Sequence, residues 1–362
     1  MSQIASRDTN SAKSLTPMRT TSPVKSSSVL LELYDPVRVS LAKVEEILQT
    51  NLRSDTPWVD ELLEHSRLLS GKRMRPVLLL LSGLALSQKD DVDLKEESLR
   101  TTLHPMAAAI EMIHTATLVH DDVIDDAEMR RHGPTANSKW DNRISVLLGD
   151  YLFTHAFHVG SLSNSVKALA MLAAASNKVC AGEMKQNFHA GRFEISTDVY
   201  FEIISEKTAE LCAVSCAAGA LLASGDQDNL DQSVINQFEQ YGRDLGMAFQ
   251  IIDDILDLVG DPSTVGKTLG TDLINGKPTL PIIHCLEQLT DDQRSDLLKK
   301  ISDPDNLAVV IEVLNSTNSI EHARHVARSH VESAAAFASS LGEGTAAQAL
   351  LKIAQFVLKR SN

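Results

Sequence analysis

Two short segments carry the same acidic pattern, DDxxD, about a third of the chain apart. The first and last Asp of each segment are four residues apart, so a helix would place them on one face. Like charges placed this closely repel each other unless a cation lies between them. Carboxylate oxygens suit Mg²⁺, which commonly completes its coordination shell with phosphate oxygens. The pattern therefore predicts two metal-binding walls that hold a diphosphate between them: Asp121, Asp122 and Asp125 in one wall, and Asp253, Asp254 and Asp257 in the other.

Acidic residues at helical spacing can also form a solvated face or the first turn of a helix, where they complement the helix dipole. We interpret Asp291, Asp292 and residues 90–93 in this way, because polar, turn-like residues surround them. The two DDxxD segments instead follow apolar runs at 107–119 and 247–252. Buried carboxylates need a partner, and a metal-binding role is therefore favoured over a structural one.

Basic residues lie close to both acidic segments in the sequence. The stretch GKRMRP at 71–76 opens an apolar segment and places Lys72 and Arg75 near a helix N-terminus, which favours anions. Each cation alone is typical of a protein surface, but the set predicts that two anionic groups bind together. The other cations of the set are Arg130 and Arg131 after the first acidic segment, Lys207 within an apolar helix, and Lys267 after the second acidic segment.

The composition is that of an ordinary globular chain of 362 residues, with 43% hydrophobic residues and a formal charge of −14. The acidic balance argues against a nucleic-acid partner, and no apolar run is long enough to span a bilayer. We expect four reduced packing cysteines in a cytosol-like compartment, because apolar, Ala-rich residues surround them and no His stands at ligand spacing. These are Cys180, Cys212, Cys216 and Cys285.

Residues 1–28 are rich in Ser and Thr, contain a single acid, and cannot bury a core. We interpret 1–28 as a disordered tail and 29–362 as one folded domain, and we expect the protein to be cytoplasmic. The Ser-rich, acid-poor composition of the tail also fits an organellar transit peptide, although an amphipathic Arg face is missing.

From residue 29 onward, apolar residues recur at intervals of three and four, while alternating strand-like runs are scarce. This periodicity predicts an all-α fold, a single helical bundle around a central elongated apolar cavity. The predicted helical segments lie near 36–52, 76–87, 103–127, 143–163, 165–191, 197–224, 230–259 and 306–358.

From about residue 33 to its C-terminus, the chain resembles the all-trans polyprenyl diphosphate synthases, which have the isoprenoid synthase fold. The resemblance implies a prenyltransferase of isoprenoid biosynthesis, expected as a homodimer, that condenses isopentenyl diphosphate head-to-tail with an allylic diphosphate of the farnesyl or geranylgeranyl type. It rests on GKRMRP at 71–76, EMIHTATLVHDDVIDDAEMRR at 111–131, GD at 149–150, GEMKQ at 182–186, EKTAEL at 206–211, GMAFQIIDDILD at 246–257, GKTLGTD at 266–272 and GKPTLP at 276–281.

The resemblance also implies roles for individual residues. His114 alone would be interpreted as a core histidine, but its place two turns before Asp121 inside the family motif favours a binding role. Three Mg²⁺ would be held by Asp121, Asp125 and Asp253, with Asp122, Asp254 and Asp257 in support. Asp121, Asp125, Asp253, Lys207 and Lys267 would be catalytic. The allylic diphosphate would be bound by Arg130, Lys207, Thr208, Gln250 and Lys267, and isopentenyl diphosphate by Lys72, Arg75, His114 and Arg131.

The length of the product is predicted from the residues that precede the first DDxxD. In short-chain members of the resembled family an aromatic residue commonly stands four or five positions before its first Asp, where this chain has Thr117 and Ala116. We expect an open path and a product longer than about twenty carbons, because the allylic tail should extend along this helix, which rises 1.5 Å per residue. Ile113, and then Ile110 and Met106, would limit its growth.

Three alternatives remain at this point: a short-chain geranylgeranyl or farnesyl diphosphate synthase, a terpene cyclase, and a subunit of a heteromeric synthase. A cyclase would not need Lys72, Arg75 and His114. A non-catalytic subunit typically loses one acidic cluster, whereas both are intact here.

Overall fold

The computed structural model describes residues 32–69, 71–89, 96–130, 133–224, 231–260, 269–301 and 303–359. Within these ranges the chain is almost entirely helical, which confirms the predicted all-α fold. The longer helices are α1 (Arg38–Asn51), α2 (Pro57–Leu69), α3 (Met74–Lys89), α4 (His104–Ile124), α5 (Asn142–Ser161), α6 (Val166–Phe188), α7 (Thr197–Ile204), α8 (Glu210–Ala223), α9 (Gln232–Val259), α10 (Leu280–Gln288), α11 (Asp291–Ile301), α12 (Leu307–Ser316), α13 (Ser319–Ser340) and α14 (Thr345–Lys359).

Short elements connect these helices. One antiparallel pair of two-residue strands joins Met129–Arg130 to Gly133–Pro134, with Arg130 opposite Gly133. The single helical turns are Asp35–Val37, Glu96–Ser98, Ala136–Lys139, Thr271–Ile274 and Pro304–Asn306, and π-helical segments occur at Leu99–Leu103 and Ser205–Ala209.

Helix α8 forms the centre of the bundle, because every residue from Glu210 to Ala223 is buried. A helix that is apolar on all sides is stable only when other helices surround it. It packs against α3 and α9, while α4 packs along α5 and α9 packs along α13. At Gly219 a Cβ atom would lie 2.1 Å from the carbonyl oxygen of Leu79, so the backbones of α8 and α3 are in direct contact there.

Both acidic segments lie at the C-terminal ends of long, largely buried helices, α4 and α9. Helix α4 begins with Pro105 in its first turn, and α9 begins at a cap in which the Asp231 side chain accepts from the Ser233 N–H at 2.8 Å. The C-terminal end of a helix carries the negative pole of its dipole. Carboxylates placed there therefore require cationic partners more strongly than they would elsewhere.

Several predicted helices differ from those observed. The segment at 197–224 is divided into α7, a π-helical segment and α8, and the segment at 306–358 is divided into three helices. Helices α2, α10 and α11 lie outside the predicted segments. Asp291 and Asp292 occupy the first turn of α11 as predicted, whereas residues 90–93 and the tail at 1–28 lie outside the described residues.

The prediction for the cysteines holds for three of the four. Cys212, Cys216 and Cys285 are buried, and all four thiols are free. The prediction is wrong for Cys180, which is exposed. It lies on the outer face of α6 one turn before the exposed Met184, a face that the Ala-rich sequence does not distinguish from the buried one. Within the described ranges, none of the helices combines the length and the apolar character that a membrane span requires.

Candidate active site

The first acidic segment ends helix α4. Asp121 and Asp122 lie in its last turn, and the N–H of Asp125, the C-cap residue, donates to the Asp121 carbonyl at 2.8 Å. Asp126 then adopts a left-handed conformation with φ of 48°, which turns the chain away from the helix. Asp122 is buried, while Asp121 and Asp125 are half-buried at the edge of the bundle.

Three cations lie beside this segment, two of them from distant parts of the chain. Lys277 Nζ donates to both carboxylate oxygens of Asp125, at 2.8 and 2.9 Å. Arg130 Nε donates to Asp122 Oδ1 at 2.7 Å, and Lys207 Nζ lies 4.0 Å from Asp121 Oδ2. Each carboxylate therefore faces a positive charge across the bundle or from the adjacent turn.

Burial raises the pKa of Asp121 to about 6, and the negative charges of Glu183 and Asp125 act in the same direction, while Lys207 and Arg130 oppose the rise. Burial acts to lower the pKa of Lys207, but Asp121 and Glu183 outweigh it, so the net pKa of this amine is raised. Burial, rather than a lack of neighbouring cations, is thus the main reason that the charged form of Asp121 is disfavoured at the end of α4.

The second acidic segment lies near the end of α9. Asp254 is buried and accepts from the Tyr200 hydroxyl at 2.6 Å and from Gln250 Nε2 at 2.7 Å. Burial, followed by the charge of Asp272, raises the pKa of Asp254 well above its ordinary range. Asp257 Oδ2 accepts from the Asp272 N–H at 3.0 Å, and Asp253 is half-buried on the same helix.

The π-helical segment Ser205–Ala209 connects the two acidic segments. Lys207 Nζ donates to Gln186 Oε1 at 2.7 Å and contacts Glu183, both on α6. Thr208 Oγ1 donates to Gln250 Oε1 at 2.8 Å on α9, and Gln250 in turn donates to Asp254. Two neighbouring residues of this segment therefore face the two acidic segments: Lys207 lies beside Asp121, and Thr208 reaches Asp254 through Gln250.

The set predicted for isopentenyl diphosphate lies at the start of α3 and in the middle of α4. Lys72 is exposed, and Arg75 and His114 are half-buried. Glu111 stands one turn before His114 on α4 and accepts from Arg73 Nη1 at 3.0 Å, and the charge of Arg75 also acts on it. Arg131, the fourth member of this set, and Lys267 of the allylic set lie outside the described residues.

Three contacts of the site were not predicted from the sequence. Lys277 lies within the motif GKPTLP, but no role was assigned to it, and Glu183 and Gln186 lie within GEMKQ. One feature of the sequence could have indicated a role for Lys277: it stands between Gly276 and Pro278, after the second acidic segment. Its loop is held because the Gly191 N–H donates to the Gly276 carbonyl at 2.8 Å.

A small pocket of about 170 Å³ opens beside the first acidic segment. It is lined by Ile124, Asp125, Asp126, Gln186, Asn187, Ala190, Asn275 and Lys277. A larger cleft of about 600 Å³ lies near the turn at residues 189–195 and includes none of the predicted site residues in its lining. The smaller pocket is therefore the one that belongs to the acidic site.

Among the described residues, no three His, Cys, Asp or Glu side chains are grouped closely enough to bind one metal ion by themselves. Mg²⁺ in phosphate sites usually takes only one or two protein carboxylates, and substrate phosphates and waters complete its shell. Asp121 and Asp125 on one helix and Asp253 on another supply such donors. Asp121 and Asp125 lie at the edge of the bundle, where a metal ion could reach them. This donor set fits a divalent metal shared with a bound diphosphate.

The residues predicted to control product length lie on α4, and most of them are buried. Ala116 and Ile113 are fully buried, as are Ile110 and Met106. Thr117 is half-buried, and its hydroxyl donates to the His114 carbonyl at 2.8 Å. These residues precede the first acidic segment on α4, and their role in setting product length stays a prediction.

A family model described as Polyprenyl synthetase matches residues 56–316. The chain belongs to the polyprenyl synthetase family. This polyprenyl synthetase is 36% identical over 317 residues to heptaprenyl diphosphate synthase component 2 of Bacillus subtilis, covering 88% of this chain and 87% of that protein. It is 34% identical over 342 residues to a short chain isoprenyl diphosphate synthase of Methanothermobacter thermautotrophicus, covering 92% of this chain and 100% of the other.

Solved structures give the same result. A polyprenyl synthase from Caulobacter crescentus, crystallised with calcium and isoprenyl diphosphate, superposes with a TM-score of 0.82 at 30% sequence identity. The match covers 94% of this polyprenyl synthetase and all of that chain. The fold is therefore the isoprenoid synthase fold, and the protein is an enzyme of the prenyltransferase class.

Proposed function

We propose that this polyprenyl synthetase condenses isopentenyl diphosphate with an allylic diphosphate to give an all-trans polyprenyl diphosphate longer than its primer. The observation that carries the proposal is the π-helical segment between the two acidic segments, with Lys207 beside Asp121 and Thr208 joined to Asp254 through Gln250. The similar polyprenyl synthase from Caulobacter crescentus supports the proposal, because that protein was crystallised with calcium and isoprenyl diphosphate.

In this proposal Asp121, Asp125 and Asp253 hold divalent metal, Mg²⁺ in the cell and three ions per site, with the other carboxylates of the two segments in support. The metal would neutralise the negative charge that develops on the departing diphosphate. Lys207, Thr208, Gln250 and Arg130 would bind the same diphosphate from the protein side, together with Lys267. Lys277 would join them, because its amine already lies 2.8 Å from Asp125 in the same pocket.

Isopentenyl diphosphate would bind at the start of α3 and on α4, where Lys72, Arg75 and His114 supply positive charge and hydrogen-bond donors, together with Arg131. The N-terminal end of α3 adds backbone N–H groups that favour an anion. Lys207 and Thr208 lie instead in the π-helical segment, so the two diphosphates would bind to different elements of the bundle.

The chemical step needs no nucleophilic side chain. The C–O bond of the allylic diphosphate breaks to give an allylic cation and diphosphate, and the double bond of isopentenyl diphosphate attacks that cation. A proton then leaves the new chain, with the released diphosphate as its acceptor. The buried apolar residues below Asp121 keep water from the cation, since water would end the reaction as an alcohol.

The product is proposed to exceed about twenty carbons, because small residues stand where a growing tail would pass along α4, at a rise of 1.5 Å per residue. Ala116 and Thr117 leave the first turn open, and Ile113 is the first larger side chain. The printed names of the relatives include both a heptaprenyl and a short-chain enzyme, and the heptaprenyl name favours the longer product.

We also propose that the protein is a homodimer. The support is a group of exposed apolar side chains on two helices that pack against each other. Leu147 and Tyr151 lie on α5, and Met184 and Phe188 lie on α6. The alternative is a heteromeric enzyme, which the name of the Bacillus relative as a component favours. Both acidic segments are intact in this chain, so even in a heteromeric enzyme the partner would not have to supply the catalytic carboxylates.

The experiment that tests this function uses the purified chain alone. Radiolabelled isopentenyl diphosphate is incubated with farnesyl diphosphate and Mg²⁺, with EDTA in a parallel sample. We expect label in an apolar diphosphate only when the metal and the primer are both present. A terpene cyclase would convert the primer and leave the label behind, and a non-catalytic subunit would do neither.

A further inference from the structure

The π-helical segment Ser205–Ala209 is a local expansion of the helix that would otherwise join α7 to α8. The Glu210 N–H donates to the Ser205 carbonyl, which is the i to i−5 bond of a π turn. Such turns are less stable than α-helical turns and occur frequently at functional sites. Some interaction outside the backbone must therefore hold this one open.

Arg243 on α9 joins the same two residues through their side chains. Its Nη1 donates to Ser205 Oγ at 3.1 Å and to Glu210 Oε2 at 2.7 Å. Glu210 is buried and also accepts from Lys178 Nζ at 2.8 Å, while Nη2 of Arg243 donates to Glu239 at 2.8 Å. A guanidinium that bridges both ends of the π turn fixes the number of residues between them.

Two glycines let the neighbouring helices contact the expanded turn directly. A Cβ atom at Gly182 of α6 would lie 2.5 Å from the Lys207 nitrogen, and one at Gly246 of α9 would lie 2.5 Å from the Ala209 Cα. The turn is therefore enclosed on both sides by backbone and cannot shift sideways. Its remaining freedom is to tighten into an α-helical turn.

Tightening would move the two polar residues inside the turn. Lys207 now contacts Gln186 and Glu183 on α6, whereas Thr208 donates to Gln250 on α9. A change of one residue in register rotates a helical position by about 100°. Lys207 and Thr208 would then leave the acidic segments that they now connect.

We propose that Arg243 is a positioning residue, which holds the π turn so that Lys207 and Thr208 bind the allylic diphosphate. This inference rests on the proposed function. Arg243 itself contacts Ser205, Glu210 and Glu239, and it acts on the substrate only through the turn.

The test replaces Arg243 by Met. Glu210 keeps its bond to Lys178, so the buried carboxylate is not left alone and the protein should fold. Because small misplacements of binding groups are costly, we expect the KM for farnesyl diphosphate to rise about tenfold and kcat to fall about tenfold. The KM for isopentenyl diphosphate should stay within about twofold, since Lys72 and Arg75 do not depend on the turn. Arg243→Lys, which restores one charge, should recover part of the loss.

Arg294→Met is the matched control. Arg294 is also a partly buried arginine that ties helices together, because its Nε donates to the Leu286 carbonyl at 3.1 Å and its guanidinium lies 3.9 Å from Glu194. These contacts do not involve the residues of the π turn, and both KM values should be unchanged in this variant.

Equal changes in both KM values, or a lowered Tm with unchanged kinetics, would overturn the positioning role. Calorimetric binding of farnesyl diphosphate with Mg²⁺ separates this inference from the proposed reaction. If the wild type binds this diphosphate but forms no product, the proposed condensation fails. A weaker Kd in Arg243→Met would still support the role of the turn, and an unchanged Kd would contradict it.

Discussion

Lys277 donates to both oxygens of Asp125, a residue 152 positions earlier in the chain. Together with Lys207 and Arg130 it surrounds the end of α4 with positive charge, although burial still leaves Asp121 with a raised pKa. Cations so placed have two uses. They stabilise the acidic cluster, and they remain beside any diphosphate that binds there.

Asp121→Asn should leave the fold intact and remove the activity. The raised pKa means that folded protein binds this proton more tightly than unfolded protein, so the stability contributed by Asp121 falls as the pH rises from about 4 to 6. At pH 7.5 the variant should therefore melt at the same temperature as wild type or higher, and this advantage should disappear below pH 4. Condensation at saturating Mg²⁺ should fall by more than about a hundredfold, which corresponds to roughly 2.7 kcal/mol of barrier.

Asp292→Asn is the control for that experiment, because Asp292 is an exposed first-turn acid of α11. It should leave the activity unchanged. An Asp121→Asn variant that keeps activity within about tenfold would contradict the metal-binding role. A variant that melts below the wild type at pH 7.5 would contradict the raised pKa of Asp121.

The two diphosphate sites should separate in kinetics. Lys72→Ala should raise the KM for isopentenyl diphosphate and leave the KM for the allylic substrate nearly unchanged, whereas Lys207→Ala should do the reverse. A small effect of each on the other substrate is expected, because both diphosphates share one electrostatic field. Steady-state kinetics with each substrate varied in turn measures this, and equal effects would show that the assignment of two sites is wrong.

The helices that carry the acids were predictable, whereas the element between them was not. The apolar periodicity around α4 and α9 is strong, and predicted and observed boundaries agree within a few residues. The segment at 197–224 has the same periodicity, but its sequence gives no sign of the π turn at Ser205–Ala209. That turn depends on Arg243, which is distant in sequence, and on the close approach of Gly182 and Gly246.

Other missed elements had signals in the sequence. The helix predicted at 306–358 breaks at Asn318, which has a positive φ of 60°, and at Gly342, with φ of 99°. Asn and Gly are the residues that most easily adopt this conformation, so both breaks could have been predicted. Helix α11 follows Thr290 and begins with two acids, which is a typical helix start.

Helix α4 should act as the ruler for product length. Ala116 is fully buried one turn below Asp121, so Ala116→Phe would place a ring across the path of the allylic tail. The main product should become shorter while turnover persists, because the acidic segments are unchanged. Overpacking at a buried site costs about 1–3 kcal/mol, and Tm must be measured together with the product.

Ala116→Leu introduces a side chain of intermediate size between the wild-type Ala and the Phe of Ala116→Phe. A graded shortening from Ala through Leu to Phe would support the ruler, and reversed-phase chromatography of the dephosphorylated products measures it. An unchanged distribution in a folded Phe variant would show that another helix sets the limit.

For the whole molecule, the sequence was sufficient for the fold class and the family. Long apolar helices predicted the bundle, and motifs spread from residue 71 to residue 281 predicted the family. The tail at 1–28, Arg131 and Lys267 lie outside the described residues, so their roles remain predictions. Lys277 could not be assigned from spacing, because its contact with Asp125 joins residues 152 positions apart and depends on the tertiary fold.

The proposed dimer predicts a surface mutation with a large effect. Leu147 is 62% exposed on α5, and a charge there would have to be buried at the interface. Leu147→Glu should therefore shift the protein from dimer to monomer in analytical ultracentrifugation. Val39→Glu, at a site that is 74% exposed on α1, is the control and should leave the dimer intact. Dimerisation that survives Leu147→Glu would place the interface elsewhere.

The most direct test of the proposed reaction is the product made by the purified chain alone. Farnesyl diphosphate, excess isopentenyl diphosphate and Mg²⁺ are incubated with the wild type, and the dephosphorylated products are separated by length. We predict a series of all-trans chains that increase by five carbons and accumulate beyond about twenty carbons, since Ala116 and Thr117 leave the first turns of α4 open. A product that stops at twenty carbons or fewer would contradict the predicted length, and the absence of any extension would contradict the condensation itself.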